Sequence, residues 1–178
     1  MEHAGKRSIT YIIGIPGSGK STAVARALKD DKVIKEASGS VPFIEYSSGL
    51  IQIGRNRETY PGTDVLPYNA QPKVLEWLAT IPNGTHVLAE GDRLANGKFF
   101  TALLSNGWNL KIIHLYCPPK VAIQRCIERG STYKNPWYQG RITKVDNLVA
   151  QFIDHVLLTL DSRWEPEMLA GEIKNHLG

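Results

Sequence analysis

Apolar positions along the chain fall into short solid runs separated by stretches of helical spacing. Residues 9–13 (Ile-Thr-Tyr-Ile-Ile) carry no charge and stop at Gly14 and Pro16, which predicts a short buried strand. Residues 20–28 follow with Ala23, Ala27 and Leu28 on one side of a helix. Residues 41–46 and 50–53 flank Ser47-Ser48-Gly49, the pattern of a hairpin with a glycine-containing turn. Residues 69–81 place Val74, Leu75, Trp77 and Leu78 at helical spacing and end at Pro82-Asn83-Gly84. A strand at 86–89, a helix at 94–104 stopped by Asn106-Gly107, a strand at 110–116 and a helix at 120–129 come next. A polar, aromatic and basic loop over 131–140 leads to a helix at 141–152, a strand at 156–160 and a closing helix at 166–177.

Strands alternating with helices predict an α/β domain with a mainly parallel sheet and right-handed crossovers, interrupted only by the hairpin near 41–53. The 178 residues suffice for one domain with a core and show no internal repeat or linker. Two cysteines, Cys117 and Cys126, are too few for a disulfide scaffold or a four-ligand zinc site. The apolar run near the N-terminus is too short for a signal sequence, and no stretch reaches the roughly 18 apolar residues of a membrane span. The expectation is a soluble, cytoplasmic domain that does not engage membranes.

The net charge of +4 is concentrated. Between Pro118 and Val145 six basic side chains (Lys120, Arg125, Arg129, Lys134, Arg141 and Lys144) face only Glu128, a net +5, so the rest of the chain sums to −1. Such a segment suggests a polyanionic partner, phosphate or nucleic acid, although a solvated helix face would look the same.

The chemistry is clearest at Gly14-Ile15-Pro16-Gly17-Ser18-Gly19-Lys20-Ser21-Thr22, a complete G-x-x-x-x-G-K-[ST] match between a strand and a helix. The glycines let main-chain N–H groups wrap a phosphate, and the following helix aims the positive end of its dipole at the same point. Lys20 is placed to reach the β- and γ-phosphates and the Ser21 hydroxyl to hold Mg²⁺. The motif predicts a nucleoside triphosphate site, with ATP and Mg²⁺ as the cofactors. Thr143-Lys-Val-Asp146 has the form of a guanine-reading motif, but it follows no apolar strand and no D-x-x-G accompanies it.

The strand at 86–89 runs into Glu90-Gly91-Asp92-Arg93, where a parallel sheet presents its ligand crevice. Glu90 or Asp92 would complete the Mg²⁺ shell there, and Arg93 would contact an anionic substrate. The loop from Gly54 through Arg57, Tyr60 and Thr63 to Asp64 is dense in acceptor-binding groups. Transfer to a hydroxyl needs a carboxylate to take or orient its proton. Asp64 is the preferred candidate, with Asp92 as the alternative and a turn or capping residue as the competing reading of Asp64. Arg125 and Arg129 share a helix face, and Arg141 follows the loop, a layout that supplies a lid (about 130–141) and screens developing charge. Tyr133, Trp137 and Tyr138 are candidates for stacking on a base or for packing. His86, His114, His155 and His176 lack ligand spacing and read as structural.

The P-loop, the strand ending in acids, the R-x-x-x-R helix and the basic lid together resemble the small nucleoside and nucleotide kinases of the P-loop superfamily over almost the whole chain. The resemblance implies a three-layer α/β/α kinase domain with a hairpin insertion and a lid. Three shorter blocks, Gly62-Thr63-Asp64, Ala89 to Asn96, and Trp137-x-x-Gly-Arg-x-Thr-Lys144 running into Asn147-Leu148, are similar to bacteriophage P-loop kinases of thymidine hypermodification. That resemblance implies phosphorylation of 5-hydroxymethyluracil in DNA, with a DNA partner and a role in protecting the phage genome from host nucleases. It further implies catalytic roles for Lys20, Asp64, Asp92, Arg129 and Arg141, nucleotide contacts from residues 14–22, Arg125 and Arg129, and acceptor contacts from Arg57, Thr63, Asp64, Arg93 and Trp137. A small-metabolite kinase and a nucleotide-gated DNA-binding ATPase module are the alternatives. A DNA substrate needs cations on phosphates and access to a 5-substituent, which projects into the major groove.

Overall fold

β1 (Ser8–Ile13) carries no charged side chain and is almost wholly buried, so it takes the centre of the sheet. The computed structural model describes residues 5–56, 61–132 and 134–178. Among them β2 (Val33–Ala37), β3 (Phe43–Tyr46), β4 (Ile51–Ile53), β5 (His86–Glu90), β6 (Asn109–Tyr116) and β7 (Val156–Asp161) join β1 in a seven-stranded sheet of order β2-β3-β4-β5-β1-β6-β7. β4, β5, β1, β6 and β7 are parallel. β2 and β3 extend the sheet antiparallel.

The two-residue period of β1 divides the core. Ile9, Tyr11 and Ile13 pack with α2 (Gln71–Ala79), α3 (Gly97–Ser105) and the end of α5 (Asn135–Gln151). The Phe100 ring there lies 5.2 Å from Tyr11 and 5.3 Å from Phe152, both edge-on. Ile12 faces α1 (Lys20–Ala27) and α6 (Pro166–Lys174) on the other side. This is the three-layer arrangement that the alternation of elements predicts. A third cluster of Ile15, Cys117, Ala122, Cys126, Tyr138 and Val145 ties the loop after β1 to α4 (Pro119–Glu128) and α5. The carboxyl ends of the parallel strands therefore share one rim, and the loops leaving them are fixed from below.

The structure departs from the expected elements in three places. β2 was not expected, since Val33, Ile34, Lys35 and Glu36 are all exposed and carry no burial signal; pairing with β3 alone makes it a strand. α3 starts at Gly97 rather than 94, because Asn96 caps it by accepting the Phe99 N–H at 2.8 Å. Most of the expected loop at 131–140 is helix: α5 begins at Asn135, with Pro136 in its first turn, and runs through Gly140. The segment expected as a lid, about 130–141, is thus helical from Asn135 onward, with Tyr138 its buried residue and most of the other described ones exposed.

Candidate active site

The loop from Gly14 to Gly19 turns the chain from β1 into α1 around residues that cannot carry a side chain. Gly17 and Gly19 hold φ of 86° and 89°, the left-handed region. A Cβ on Gly17 would also lie 2.2 Å from the Ala122 carbonyl oxygen, and one on Gly14 2.6 Å from Ser18 Oγ. The Ser18 hydroxyl is buried with no hydrogen-bond partner among the described residues. A buried, uncompensated hydroxyl inside a glycine-lined cradle at a helix N-terminus fits a phosphate ligand.

Lys20 lies under this loop, its ammonium donating to the carbonyls of Gly14 (2.8 Å) and Ile15 (3.2 Å). Burial lowers its pKa, and Glu90, Asp64 and Asp92 act against that fall. The negative charge of each of the three candidate carboxylates thus favours the charged form of Lys20. Ser21 Oγ donates to Glu90 Oε1 at 3.0 Å. Glu90 is buried, and burial raises its pKa while Lys20 and Ser21 oppose the rise. A hydroxyl and a carboxylate side by side are hard oxygen donors of the kind Mg²⁺ takes together with phosphate oxygens and water. Among the described residues no group of three His, Cys, Asp or Glu side chains forms a metal cluster.

On the far side of Glu90 the chain returns through Gly62-Thr63-Asp64. Gly62 has φ 58°, and a Cβ there would lie 2.2 Å from Glu90 Oε1. Asp64 Oδ1 accepts the main-chain N–H groups of Asp92 (2.9 Å) and Arg93 (3.2 Å). This oxygen ties the loop to the end of β5 rather than capping the turn after Gly62. Thr63, expected to touch substrate, is instead fully buried, its hydroxyl 3.2 Å from the Tyr11 hydroxyl, which also donates to Gly91 O at 3.0 Å. It positions the loop. Arg93, expected to meet an anion, lays its guanidinium over the Tyr68 ring, 3.7 Å from the centroid.

Asp92 and Arg141 occupy different positions from those expected. Asp92 pairs with Arg141 at 2.5 Å and with Lys144 at 2.9 Å. Burial alone would raise the Asp92 pKa, but these two cations outweigh it and the net shift is downward. Asp92 therefore docks α5 onto the end of β5 through Arg141 Nη1 and Lys144, while Arg141 Nε is buried with no hydrogen-bond partner among the described residues. Tyr138, a stacking candidate, is buried and donates to the Pro16 carbonyl at 2.7 Å. Trp137 remains half exposed, beside Arg141. Arg57 and Tyr133 lie outside the described residues. With Arg125, Arg141 and Lys144 all in internal contacts, the basic segment offers less free charge than its count implies.

A cavity of about 350 Å³ opens beside the glycine loop, within the range of small-molecule sites. Thr22 and Arg129 line it together with Ser162 and Trp164, which sequence reasoning missed. Arg125 holds its wall, donating to Gly17 O (3.4 Å) and to Ser162 Oγ (3.3 Å). The available signal was the polar step after the last strand, at the carboxyl end of β7.

A family profile described as P-loop Nucleotide Kinase3 matches residues 5–175. No curated protein sequence matches the chain. Solved structures share the fold at low identity. An unliganded sugar kinase from Janibacter is 17% identical with a TM-score of 0.53, covering 96% of this chain and 93% of its own. A deoxyadenosine kinase from M. mycoides with bound dATP is 16% identical with a TM-score of 0.53, covering 94% and 98%. A shikimate kinase from Acinetobacter baumannii in complex with shikimate is 16% identical with a TM-score of 0.50, covering 96% of both chains. Among the described residues no helix is long and apolar enough to cross a membrane.

Proposed function

We propose, starting from the fact that the chain belongs to the P-loop nucleotide kinase family matched over residues 5–175, that it transfers the γ-phosphoryl group of ATP to an alcohol. The observation that carries this reading is the glycine cradle with Lys20 bonded beneath it, the Ser21–Glu90 pair following it, and Asp64 on the second loop that passes over Glu90. The cradle N–H groups and Lys20 hold the phosphates, and the 350 Å³ cavity takes the nucleoside. Ser21 and Glu90 would hold Mg²⁺, which screens the charge on the transferring phosphates. Asp64 accepts the proton of the acceptor hydroxyl as its oxygen bonds to the γ-phosphorus and the β,γ-bridging oxygen departs. Arg129 lines the cavity and balances the charge of the departing diphosphate.

For the acceptor we propose the hydroxymethyl group of 5-hydroxymethyluracil in DNA. Its support is that the three blocks carrying the resemblance to thymidine-hypermodification kinases meet in one place. Asp64 bonds to the backbone of Asp92 and Arg93, and Asp92 pairs with Arg141 and Lys144. A small metabolite is the second reading, favoured by folds shared nearly end to end with sugar and shikimate kinases. Labelled ATP supplied with hydroxymethyluracil DNA, ordinary DNA and the free nucleoside separates them. Label is expected on the modified DNA alone. Label on the nucleoside alone moves the function to the second reading. Lys20→Ala is expected to lower transfer at least about a hundredfold; near-native turnover in that variant refutes the nucleotide site.

A further inference from the structure

The Tyr68 ring lies outside the core. It is 93% exposed, between Leu66 and Ala70, which are each 2% exposed and anchored in the core. The turn between them is closed by the Ala70 N–H donating to Pro67 O at 3.1 Å. The backbone is therefore fixed on both sides of a side chain that buries almost nothing. Among the described residues its ring partner is Arg93, whose guanidinium lies 3.7 Å from the ring centroid, the separation of a stacked cation–π pair.

Arg93 connects this ring to the candidate base. Its main-chain N–H donates to Asp64 Oδ1 at 3.2 Å while its side chain covers Tyr68. The carboxylate and the ring are thus both held by one residue, and the ring remains open to solvent on the side away from the guanidinium. An exposed aromatic face linked to the candidate base through Arg93 suits a flat, π-rich ligand, since stacking favours any heterocycle and needs no hydrogen-bond readout.

We propose that Tyr68 and Arg93 form a stacking platform for a planar heterocycle that carries the acceptor hydroxyl. The inference deepens the kinase reading and rests on it for the role of Asp64. The heterocycle can belong to a nucleic acid strand or to a free nucleoside, and the test separates the two.

The test is a titration of the whole protein, without ATP, with a fluorescent single-stranded oligonucleotide containing 5-hydroxymethyluracil. A strand of equal length with an abasic site at that position serves as comparison, and the unlabelled free nucleoside as competitor. Tyr68→Ala is expected to weaken binding of the base-bearing strand about tenfold, with Tyr68→Phe unchanged and the abasic strand bound equally by all three proteins. Equal affinity of Tyr68→Ala and the parent protein for the base-bearing strand overturns the platform. So does a loss that is the same for the abasic strand. Competition by the nucleoside at concentrations near those of the strand assigns the site to free nucleosides, and its failure to compete assigns it to the strand. Binding is read without phosphoryl transfer, so failure of the kinase reading leaves this result standing on its own.

Discussion

At Gly17 and Gly62 the absent side chain answers two different demands. Gly17 packs its backbone against α4 while keeping a phosphate cradle open, whereas Gly62 lets a second loop pass directly over the carboxyl of Glu90. That second contact places Asp64 where one oxygen can hold the β5 loop and the other remains available to a hydroxyl. Asp64→Asn keeps an amide oxygen for the two main-chain donors and removes the basicity. Its transfer rate is expected to fall about 10²–10⁴-fold with the KM for ATP little changed. Steady-state kinetics decide: a rise in the KM for ATP with kcat intact would make Asp64 a purely structural cap.

Among the elements, α5 differs most from its sequence expectation. Its first turns read as loop because polar and aromatic residues surround Pro136 and Gly140, and the contacts that hold it are distant in sequence. Tyr138 reaches Pro16 across 122 residues, and Arg141 and Lys144 reach Asp92 across 49 and 52. No local pattern encodes such pairings. Asp92→Asn removes the anion between those two cations, so amide exchange over residues 135–141 is expected to run a few-fold faster. Transfer should drop by less than about tenfold, far short of the loss of a general base. A drop of a hundredfold or more with unchanged exchange would return the base role to Asp92. β2 shows the same limit from the other side: exposed on both faces, it has no hydrophobic period to read. The glycine loop and β1 were legible because spacing and burial are local properties of the chain.

For the molecule as a whole, the parallel core could be read from its alternating elements, but the cavity beside the glycine loop could not. Its walls come from the loop after β1, from α4 and from the step after β7, segments that only the folded sheet brings together. Stability carries a further whole-molecule signature through His86. Its ring sits between the hydroxyls of Ser8 (2.7 Å) and Thr10 (2.8 Å), and burial, aided by Lys111, lowers its pKa to about 4. The unfolded chain binds a proton near the ordinary histidine value of about 6.5, while the folded one refuses it until about pH 4. His86 thus makes the fold lose stability as pH falls across that window. Urea unfolding at pH 7 and pH 4.5 is expected to show a smaller loss in His86→Gln than in the parent protein, and an equal loss would remove His86 as the cause.

The neck at Gly54 and Gly62 has a consequence for how such a protein diversifies. Gly62 donates its N–H to Arg55 O at 2.8 Å, and a Cβ on Gly54 would fall 1.8 Å from Gly62 O. Arg55 and Gly62, described residues that flank positions 57–60, are thereby clamped together. Exchanging this segment between relatives, with both glycines retained, is a route to new acceptor preferences on an unaltered engine.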